Sequence, residues 1–197
     1  GVDIDLPALG IDFLISSANK CIQGVPGFSF ILARRSALLA CKGRARRLSL
    51  DLYDQWETME KDGKWRYTSP THVLLAFAKA LEEFAAEGGA PARGARYAAN
   101  RDLLIERMTA LGFATYIPAE HQGPIIVTFF YPEGETIDFK SMYDYIKARG
   151  YAIYPGKLTN ADTFRIGVIG EIYPADIEAV TGIFADYLAA HRRGEVR

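Results

Sequence analysis

Apolar residues in the second half of the chain recur at the spacings of helices and strands. They predict, in order, a helix at 93–111, a strand at 125–131, a helix at 139–148, strands at 151–154 and 164–168, and a helix at 173–190. The last helix is the clearest, because apolar residues at positions 177, 180, 184 and 188 form one stripe along it. A series of this kind predicts an α+β unit whose mixed or antiparallel sheet is covered by helices.

The first half of the chain predicts a hairpin without a complete sheet. Residues 11–17 form a short apolar run that ends in small polar residues, which is typical of a buried strand followed by a loop. A second strand is predicted at residues 28–33, after a tight connection that contains glycine and proline. Because an isolated hairpin is marginally stable in water, we expect residues 1 to about 85 to be the remnant of a larger domain.

A long helix is predicted after the hairpin. Ser69 is its expected N-cap, Pro70 occupies its first position, and Gly88–Gly89 ends or bends it. Between the hairpin and this helix, a short helix is expected near residues 36–40. The rest of residues 38–64 is rich in charge and aromatics and is predicted to be irregular surface.

The composition argues against several classes of function. Lys and Arg number 23 against 24 Asp and Glu, so a general nucleic-acid binder is not expected, and the basic cluster at residues 42–47 is interpreted as solvated surface. Cys21 and Cys41 have neither the number nor the spacing of a disulfide framework or a metal site, which favours a reducing, cytoplasmic setting and no metal. No apolar run is long enough to span a bilayer. The acidic start, without Met, is expected to lie inside a larger protein.

Lys20 lies just past the first predicted strand, where α/β sheets bind their ligands. A lysine forms a Schiff base with a carbonyl compound when its free amine is accessible near neutral pH, and burial favours that free amine. The neighbouring Ser16, Ser17 and Asn19 can hydrogen-bond phosphate oxygens. The alternative is a solvated loop lysine, because most lysines are surface residues.

Four stretches together resemble the class V, fold type I aminotransferases, and the resemblance covers nearly the whole chain. They are SSANKCIQGVPG at 16–27, WRYTSPTH at 65–72, IYPGK at 153–157 and FRIGVIG at 164–170. The first stretch is the most specific of the four. The resemblance implies a fold between α/β and α+β. Residues 1–88 would be a remnant of the pyridoxal-phosphate-dependent large domain and residues 89–197 the small C-terminal domain.

The resemblance also implies a role for individual residues. Lys20 matches the lysine that forms the Schiff base with pyridoxal 5′-phosphate and then moves the proton between Cα of the substrate and C4′ of the cofactor. Asn19 and Ser17 would bind the cofactor phosphate, and Thr68 would reach the phosphate of a neighbouring subunit. Arg165 matches the arginine that pairs with the substrate carboxylate, for which its planar fork is suited. From the residues alone, Arg165 in an apolar strand is better explained by a structural ion pair.

The family members that the chain resembles most transfer the amino group of 2-aminoethylphosphonate to pyruvate, giving phosphonoacetaldehyde and alanine. The resemblance therefore implies an enzyme of phosphonate breakdown with these two small-molecule substrates, and a homodimer. Two alternatives stay open. One is another member of the family, of the alanine–glyoxylate or serine–pyruvate type, and the other is a non-catalytic fragment. The aspartate that contacts the pyridine nitrogen and the residues that recognise the phosphonate are expected upstream of this sequence.

Overall fold

The computed structural model describes residues 1–156, 158 and 160–196, and the chain divides into two compact units. The first unit, called here the lysine unit, consists of Asp3–Ala86. The second, called the arginine unit, runs from Glu87 onward and includes Gly1–Val2. No helix in the described part of the chain has both the length and the apolarity to cross a bilayer.

The lysine unit begins with a two-stranded antiparallel sheet. Strand β1, Phe13–Ser17, pairs with strand β2, Ser29–Ala33, so that Ser17 lies opposite Ser29. The helices that follow are α1 (Arg35–Leu39), α2 (Leu52–Asp62) and α3 (Thr71–Glu87), with a 3-10 turn at Leu48–Leu50 before α2. Both strands and the short helix near residue 36 were predicted, and their positions are confirmed within two residues.

The prediction that the first strand is buried is wrong. Ile15 is 70% exposed and Phe13 is 36% exposed. The reason is the size of the sheet, because β1 has only β2 as a partner and the sheet has no third strand among the described residues. In this chain the apolar side chains of β1 therefore remain accessible to solvent.

The prediction of irregular surface at residues 38–64 is also wrong, because it contains the eleven-residue helix α2. The side chain of Asp51 caps this helix by accepting a hydrogen bond from the backbone N–H of Asp54, at 3.1 Å. Gly63 ends it with a φ of 73°, which suits glycine. None of its residues is buried, although Leu52, Trp56 and Met59 recur at helical spacing along it and, together with the two caps, indicate a helix.

The long helix begins slightly later than predicted. Pro70 accepts the first i+4 hydrogen bond, from the N–H of Leu74 at 3.0 Å, and the helix proper starts at Thr71. Ser69 therefore lies just outside the helix, and its carbonyl accepts a hydrogen bond from the N–H of Thr71 at 2.9 Å. At the other end, the expected break at Gly88–Gly89 is confirmed, since both glycines have positive φ angles, of 111° and 71°.

The arginine unit contains a three-stranded antiparallel sheet with helices against it. Its elements are α4 (Gly89–Ala110), β3 (Ile126–Phe130), α5 (Phe139–Lys147), β4 (Tyr154–Pro155), β5 (Thr163–Gly167) and α6 (Pro174–Arg192). Strand β5 lies at the centre, between β3 and β4. The strand predicted at 151–154 is reduced to the two residues of β4, and Pro155 offers the sheet no N–H.

Aromatic residues form the centre of the arginine unit. Phe164 on β5 is fully buried, and its ring lies 5.3 to 5.8 Å from four others. They are the rings of Phe113, Phe129, Tyr131 and Phe184. The predicted apolar stripe of the last helix faces this core, because each of its four positions is at most 5% exposed. This cluster fixes β5, which carries Arg165 on its other face.

Candidate active site

Lys20 lies in a tight turn directly after β1. The N–H of Gln23 donates to the carbonyl of Lys20 at 2.8 Å, and the N–H of Gly24 donates to the carbonyl of Ala18 at 2.9 Å. Ala18 is fully buried, whereas Lys20 is exposed. Gln23 has a φ of 63°, which is uncommon outside glycine and marks a constrained turn. The backbone of this turn is therefore fixed while the side chain of Lys20 projects from it.

Two glycines place the segment after Lys20 directly on helix α3. A Cβ on Gly24 would lie 2.8 Å from the carbonyl oxygen of Ala18 and 3.2 Å from a ring carbon of Phe77. A Cβ on Gly27 would lie 2.8 Å from a methyl carbon of Val73. Val73 and Phe77 are one turn apart on α3, so the Gly-Val-Pro-Gly sequence follows one face of that helix. Only glycine permits both approaches.

The environment of Lys20 differs from the expectation in one respect. The side chain was expected to be buried, but it is exposed in this chain. No carboxylate among the described residues forms an ion pair with its ammonium group. Asn19 and Ser17, the expected phosphate ligands, are half-buried beside it. Ser17, Asn19 and Lys20 thus lie within four consecutive positions, at the end of β1 and in the turn that follows it.

Thr68 is exposed and lies three residues before the start of α3. A hydroxyl at that place can join the free backbone N–H groups of a helix N-terminus in binding an anion. The prediction for Thr68 therefore has a physical basis in the lysine unit. Arg66 lies two residues before Thr68 and has a largely buried side chain. No pattern in the sequence marked Arg66 as part of the site.

Arg165 lies on β5, the central strand of the arginine unit, opposite Tyr154 on β4 and Thr128 on β3. Its Nε donates to the carbonyl of Pro155 at 3.2 Å, and its Cζ lies 6.0 Å from the ring centre of Tyr154. Among the described residues it has no carboxylate partner within ion-pair distance. Lys157, the last residue of the third resembling stretch, lies outside the described residues.

The absence of an acid beside Arg165 bears on the alternative of a structural ion pair. In the described part of the chain, the guanidinium makes one hydrogen bond to a backbone carbonyl and leaves its two Nη groups without a carboxylate. A half-buried cation in this state can accept a carboxylate ligand from outside the chain.

Comparison with known proteins now places the chain in a family. The sequence model of the family described as aminotransferase class-V matches residues 1–160. The chain therefore belongs to the class V aminotransferases, and the resemblance stated from its motifs is confirmed.

Curated relatives give a more particular likeness. The 2-aminoethylphosphonate–pyruvate transaminase of Phocaeicola vulgatus is 58% identical over 185 residues, which cover 91% of this chain and 51% of the relative. The protein of the same name from Bacteroides fragilis is 60% identical over 177 residues, which cover 89% of this chain and 49% of the relative. The chain thus spans about half the length of the curated relatives that it matches.

Solved structures support the fold. Ureidoglycine–glyoxylate aminotransferase from Bacillus subtilis matches with a TM-score of 0.81 at 20% identity, covering 98% of this chain and 50% of that one. Aspartate aminotransferase from Thermus thermophilus matches with a TM-score of 0.80 at 24% identity, covering 95% and 51%. At such identities the likeness shows the fold alone, and it confirms the fold class predicted between α/β and α+β.

Class V aminotransferases use pyridoxal 5′-phosphate, and the turn around Lys20 fits this group chemically. The cofactor needs a primary amine for its aldehyde and neutral donors for its phosphate. Lys20 supplies an exposed amine without an ion pair among the described residues, and Asn19 and Ser17 supply an amide and a hydroxyl beside it. The close approach at Gly24 holds the backbone of this turn in place. The donor set is therefore suited to the cofactor.

Proposed function

We propose that the whole protein transfers the amino group of 2-aminoethylphosphonate to pyruvate and so forms phosphonoacetaldehyde and alanine. The observation that carries this proposal is the identity of 57 to 60%, over 89 to 95% of this chain, with relatives named 2-aminoethylphosphonate–pyruvate transaminase. Because the chain spans about half of those relatives, the activity is proposed for a protein of their full length.

Lys20 is proposed as the catalytic residue. Pyridoxal phosphate, when bound, supplies an electron-withdrawing ring that acidifies the hydrogen on Cα of the amino substrate. The amine of Lys20 would hold the cofactor at rest and, once released by the amino substrate, would take that proton from Cα as a base and deliver it as an acid to C4′ of the cofactor. The exposure of Lys20 and the absence of an ion pair among its described neighbours support this role.

Asn19, Ser17 and Thr68 are proposed to bind the cofactor phosphate, with Thr68 acting on the site of the partner subunit of a homodimer. The turn geometry around Asn19 and the helix start after Thr68 support these roles. Arg165 is proposed to bind the carboxylate of pyruvate or alanine. Its support is the guanidinium on β5 with no carboxylate partner among the described residues.

The remaining proposals concern the setting of the enzyme. We infer that residues 1–88 belong to the cofactor-binding large domain and residues 89–197 to the small domain. A homodimer, a role in phosphonate breakdown and a cytoplasmic location complete the proposal. The names of the relatives support the role in phosphonate breakdown, and the sparse cysteines support the cytoplasmic location. The homodimer is what the resemblance to the class V aminotransferases implies.

Amino-transfer assays on the whole protein test the activity. Amino transfer from 2-aminoethylphosphonate to pyruvate should be much faster than amino transfer from alanine to glyoxylate or from serine to pyruvate. A faster reaction with either of the latter pairs would replace the proposed substrate and leave the family assignment intact.

The role of Lys20 is tested by Lys20→Ala, with Lys79→Ala as the matched control. Lys79 is a solvent-exposed lysine of the same unit, and its only described partner is the exposed Glu82. We expect Lys20→Ala to abolish turnover and borohydride trapping of the cofactor, whereas Lys79→Ala should keep both. Unchanged turnover in Lys20→Ala would disprove the proposed mechanism.

The 197-residue chain by itself is expected to be inactive, because it lacks about half the length of its relatives. An absorbance spectrum after addition and removal of pyridoxal phosphate, with a peptide map of the borohydride-treated protein, tests this. A single label on Lys20 would show that the chain retains a cofactor site. Labels scattered over surface lysines would show that the upstream half is needed.

A further inference from the structure

The segment that carries Thr68 has few backbone contacts of its own. Residues 64–70 connect α2 to α3, and in the described part of the chain residues 65–68 make no backbone–backbone hydrogen bond. The flanking contacts are local: the N–H of Lys64 donates to Asp62, and the N–H of Thr71 donates to Ser69. Something other than backbone pairing must therefore fix the position of Thr68.

The side chain of Arg66 makes the contacts that the backbone lacks. It is only 11% exposed. Its Nη1 donates to Oδ2 of Asp54 in the first turn of α2, and its Nη2 donates to the carbonyl of Leu48, both at 2.5 Å. The planar guanidinium spans these two acceptors at once, which an ammonium group cannot do with the same geometry. The hydrogen bond to Asp54 also raises the pKa of Arg66 above its ordinary value.

The same side chain contacts the residue before Thr68. The Cζ of Arg66 lies 4.8 Å from the ring centre of Tyr67, within the range of a cation–π contact. Tyr67 is 51% exposed, so burial does not set its position. Arg66 therefore joins two anchored elements, α2 and the 3-10 turn, to the stretch that ends at Thr68.

We infer that Arg66 is a positioning residue, which holds Thr68 in place for the cofactor phosphate by bridging Asp54 and the carbonyl of Leu48. This inference rests on the proposed role of Thr68. Arg66 itself touches neither the cofactor nor the substrate in this scheme. Its effect is to keep the Thr68 hydroxyl from sampling other positions before the phosphate binds.

The test compares Arg66→Lys with the control Arg34→Lys in the whole protein. Arg34 is a half-exposed arginine of the same unit that pairs with Asp12 at 3.2 Å. Loss of a charge-assisted, two-acceptor contact should raise the apparent dissociation constant of pyridoxal phosphate about tenfold in Arg66→Lys. The control should leave this constant unchanged. With saturating cofactor, the KM for pyruvate should stay within about twofold, because Arg66 does not contact that substrate.

A double variant separates positioning from a general structural effect. If Arg66 acts through Thr68, then Arg66→Lys combined with Thr68→Val should bind the cofactor no more weakly than Thr68→Val alone. Additive losses would overturn the inference, as would a lower melting temperature of Arg66→Lys with unchanged cofactor affinity. Should Arg66→Lys not fold, Asp54→Asn removes the charge of the partner and should weaken cofactor binding in the same non-additive way.

The single variant Thr68→Val distinguishes a failure of this inference from a failure of the phosphate role proposed for Thr68. If that variant binds pyridoxal phosphate as tightly as the natural protein, the phosphate role of Thr68 is wrong, and the inference about Arg66 falls with it. If Thr68→Val weakens binding and Arg66→Lys does not, only the inference about Arg66 fails. Neither result changes the substrate assignment, which the transfer assays decide.

Discussion

The lysine unit and the arginine unit differ in how much of their apolar surface they bury. In the lysine unit, the only buried hydrophobic residues among those described are Ala18, Leu38 and Ala80. In the arginine unit, a continuous buried cluster extends from α4 to α6 and includes several fully buried aromatic residues. The first unit also exposes large side chains, with Leu50 77% exposed and Leu48 75% exposed.

The two residues proposed for catalysis and substrate binding therefore lie in different settings. The lysine unit leaves apolar surface that further chain must cover, and the arginine unit does not. Lys20 lies in the unit without a substantial core, where the local close approach at Gly24 fixes the turn. Arg165 lies on a strand whose opposite face is built into a complete aromatic core. Arg165 therefore lies on a strand that this chain already holds in place, whereas the lysine unit exposes apolar surface that a protein of the relatives' length can cover.

The largest expected effect is on stability, from Phe164→Ala in the core of the arginine unit. Deletion of this fully buried ring should lower the free energy of unfolding by about 3 to 5 kcal/mol, because it leaves a cavity among four other rings. The matched change Phe13→Ala, at a 36% exposed ring of the lysine unit, should cost less than about 1 kcal/mol in this chain. Urea denaturation of both variants measures the contrast. Equal losses would remove the distinction between the two units.

The next effect concerns the use of the keto acid. Arg165→Lys keeps the charge but loses the bidentate geometry, so the KM for pyruvate should rise about ten- to hundredfold in the whole protein. Cofactor affinity should change little, because the phosphate ligands proposed here lie in the lysine unit. Steady-state kinetics and a cofactor titration check the two parts. Equal loss of cofactor and keto-acid binding would indicate that Arg165 is structural.

A smaller, local effect is expected from Gly24→Ala. The new methyl group would meet the carbonyl oxygen of Ala18 at 2.8 Å, and moving that backbone should cost about 1 to 3 kcal/mol of local stability. Hydrogen exchange of the peptides that cover residues 18–28 should accelerate accordingly. Gly123→Ala is the control, since a Cβ there meets no atom within 4 Å. Unchanged exchange in Gly24→Ala would mean that the turn is not held by this contact.

The smallest effect is a pH dependence in the arginine unit. Hydrogen bonds from Arg96, and then from Arg93, hold the pKa of Glu87 below its ordinary value, although burial opposes them. A carboxylate with a lowered pKa stabilises the fold above its unfolded-state pKa of about 4.3, and the contribution is lost as the pH falls through the folded-state pKa.

The unfolding free energy of the natural chain should therefore fall more steeply below about pH 4.3 than that of Glu87→Gln. Glu82→Gln removes an exposed carboxylate of α3 and should leave the pH profile unchanged. Parallel profiles for the natural chain and Glu87→Gln would show that the Arg96 contact does not stabilise the fold.

The sequence predicted most elements because their signals are local. The apolar stripe of α6 and the paired glycines after α3 both had direct counterparts in the structure. Helix α2 was missed although Leu52, Trp56 and Met59 recur at helical spacing, because charged residues fill most of the positions between and after them. The exposure of Ile15 was missed because an apolar strand predicts burial only when a neighbouring layer is present to cover it.

The sequence predicted which residues belong to the candidate site, but it predicted less of the contacts that position them. Lys20, its polar neighbours and Arg165 were identified from motifs that occur in this chain in the same order as in the class V aminotransferases. The support of Thr68 by Arg66 depends on Asp54 and Leu48, which are 12 and 18 positions away from Arg66 in the chain. Contacts of that range arise from how the chain folds back around α2, and local sequence patterns do not specify this folding.

Helix α6 has a consequence for how the protein is made. It supplies seven of the buried residues of the arginine unit, among them Phe184 and Leu188, and they close the aromatic core against elements synthesised earlier. Until α6 has left the ribosome, the ring cluster around Phe164 remains open to water and to other chains. The arginine unit is thus most prone to aggregate before α6 has been made.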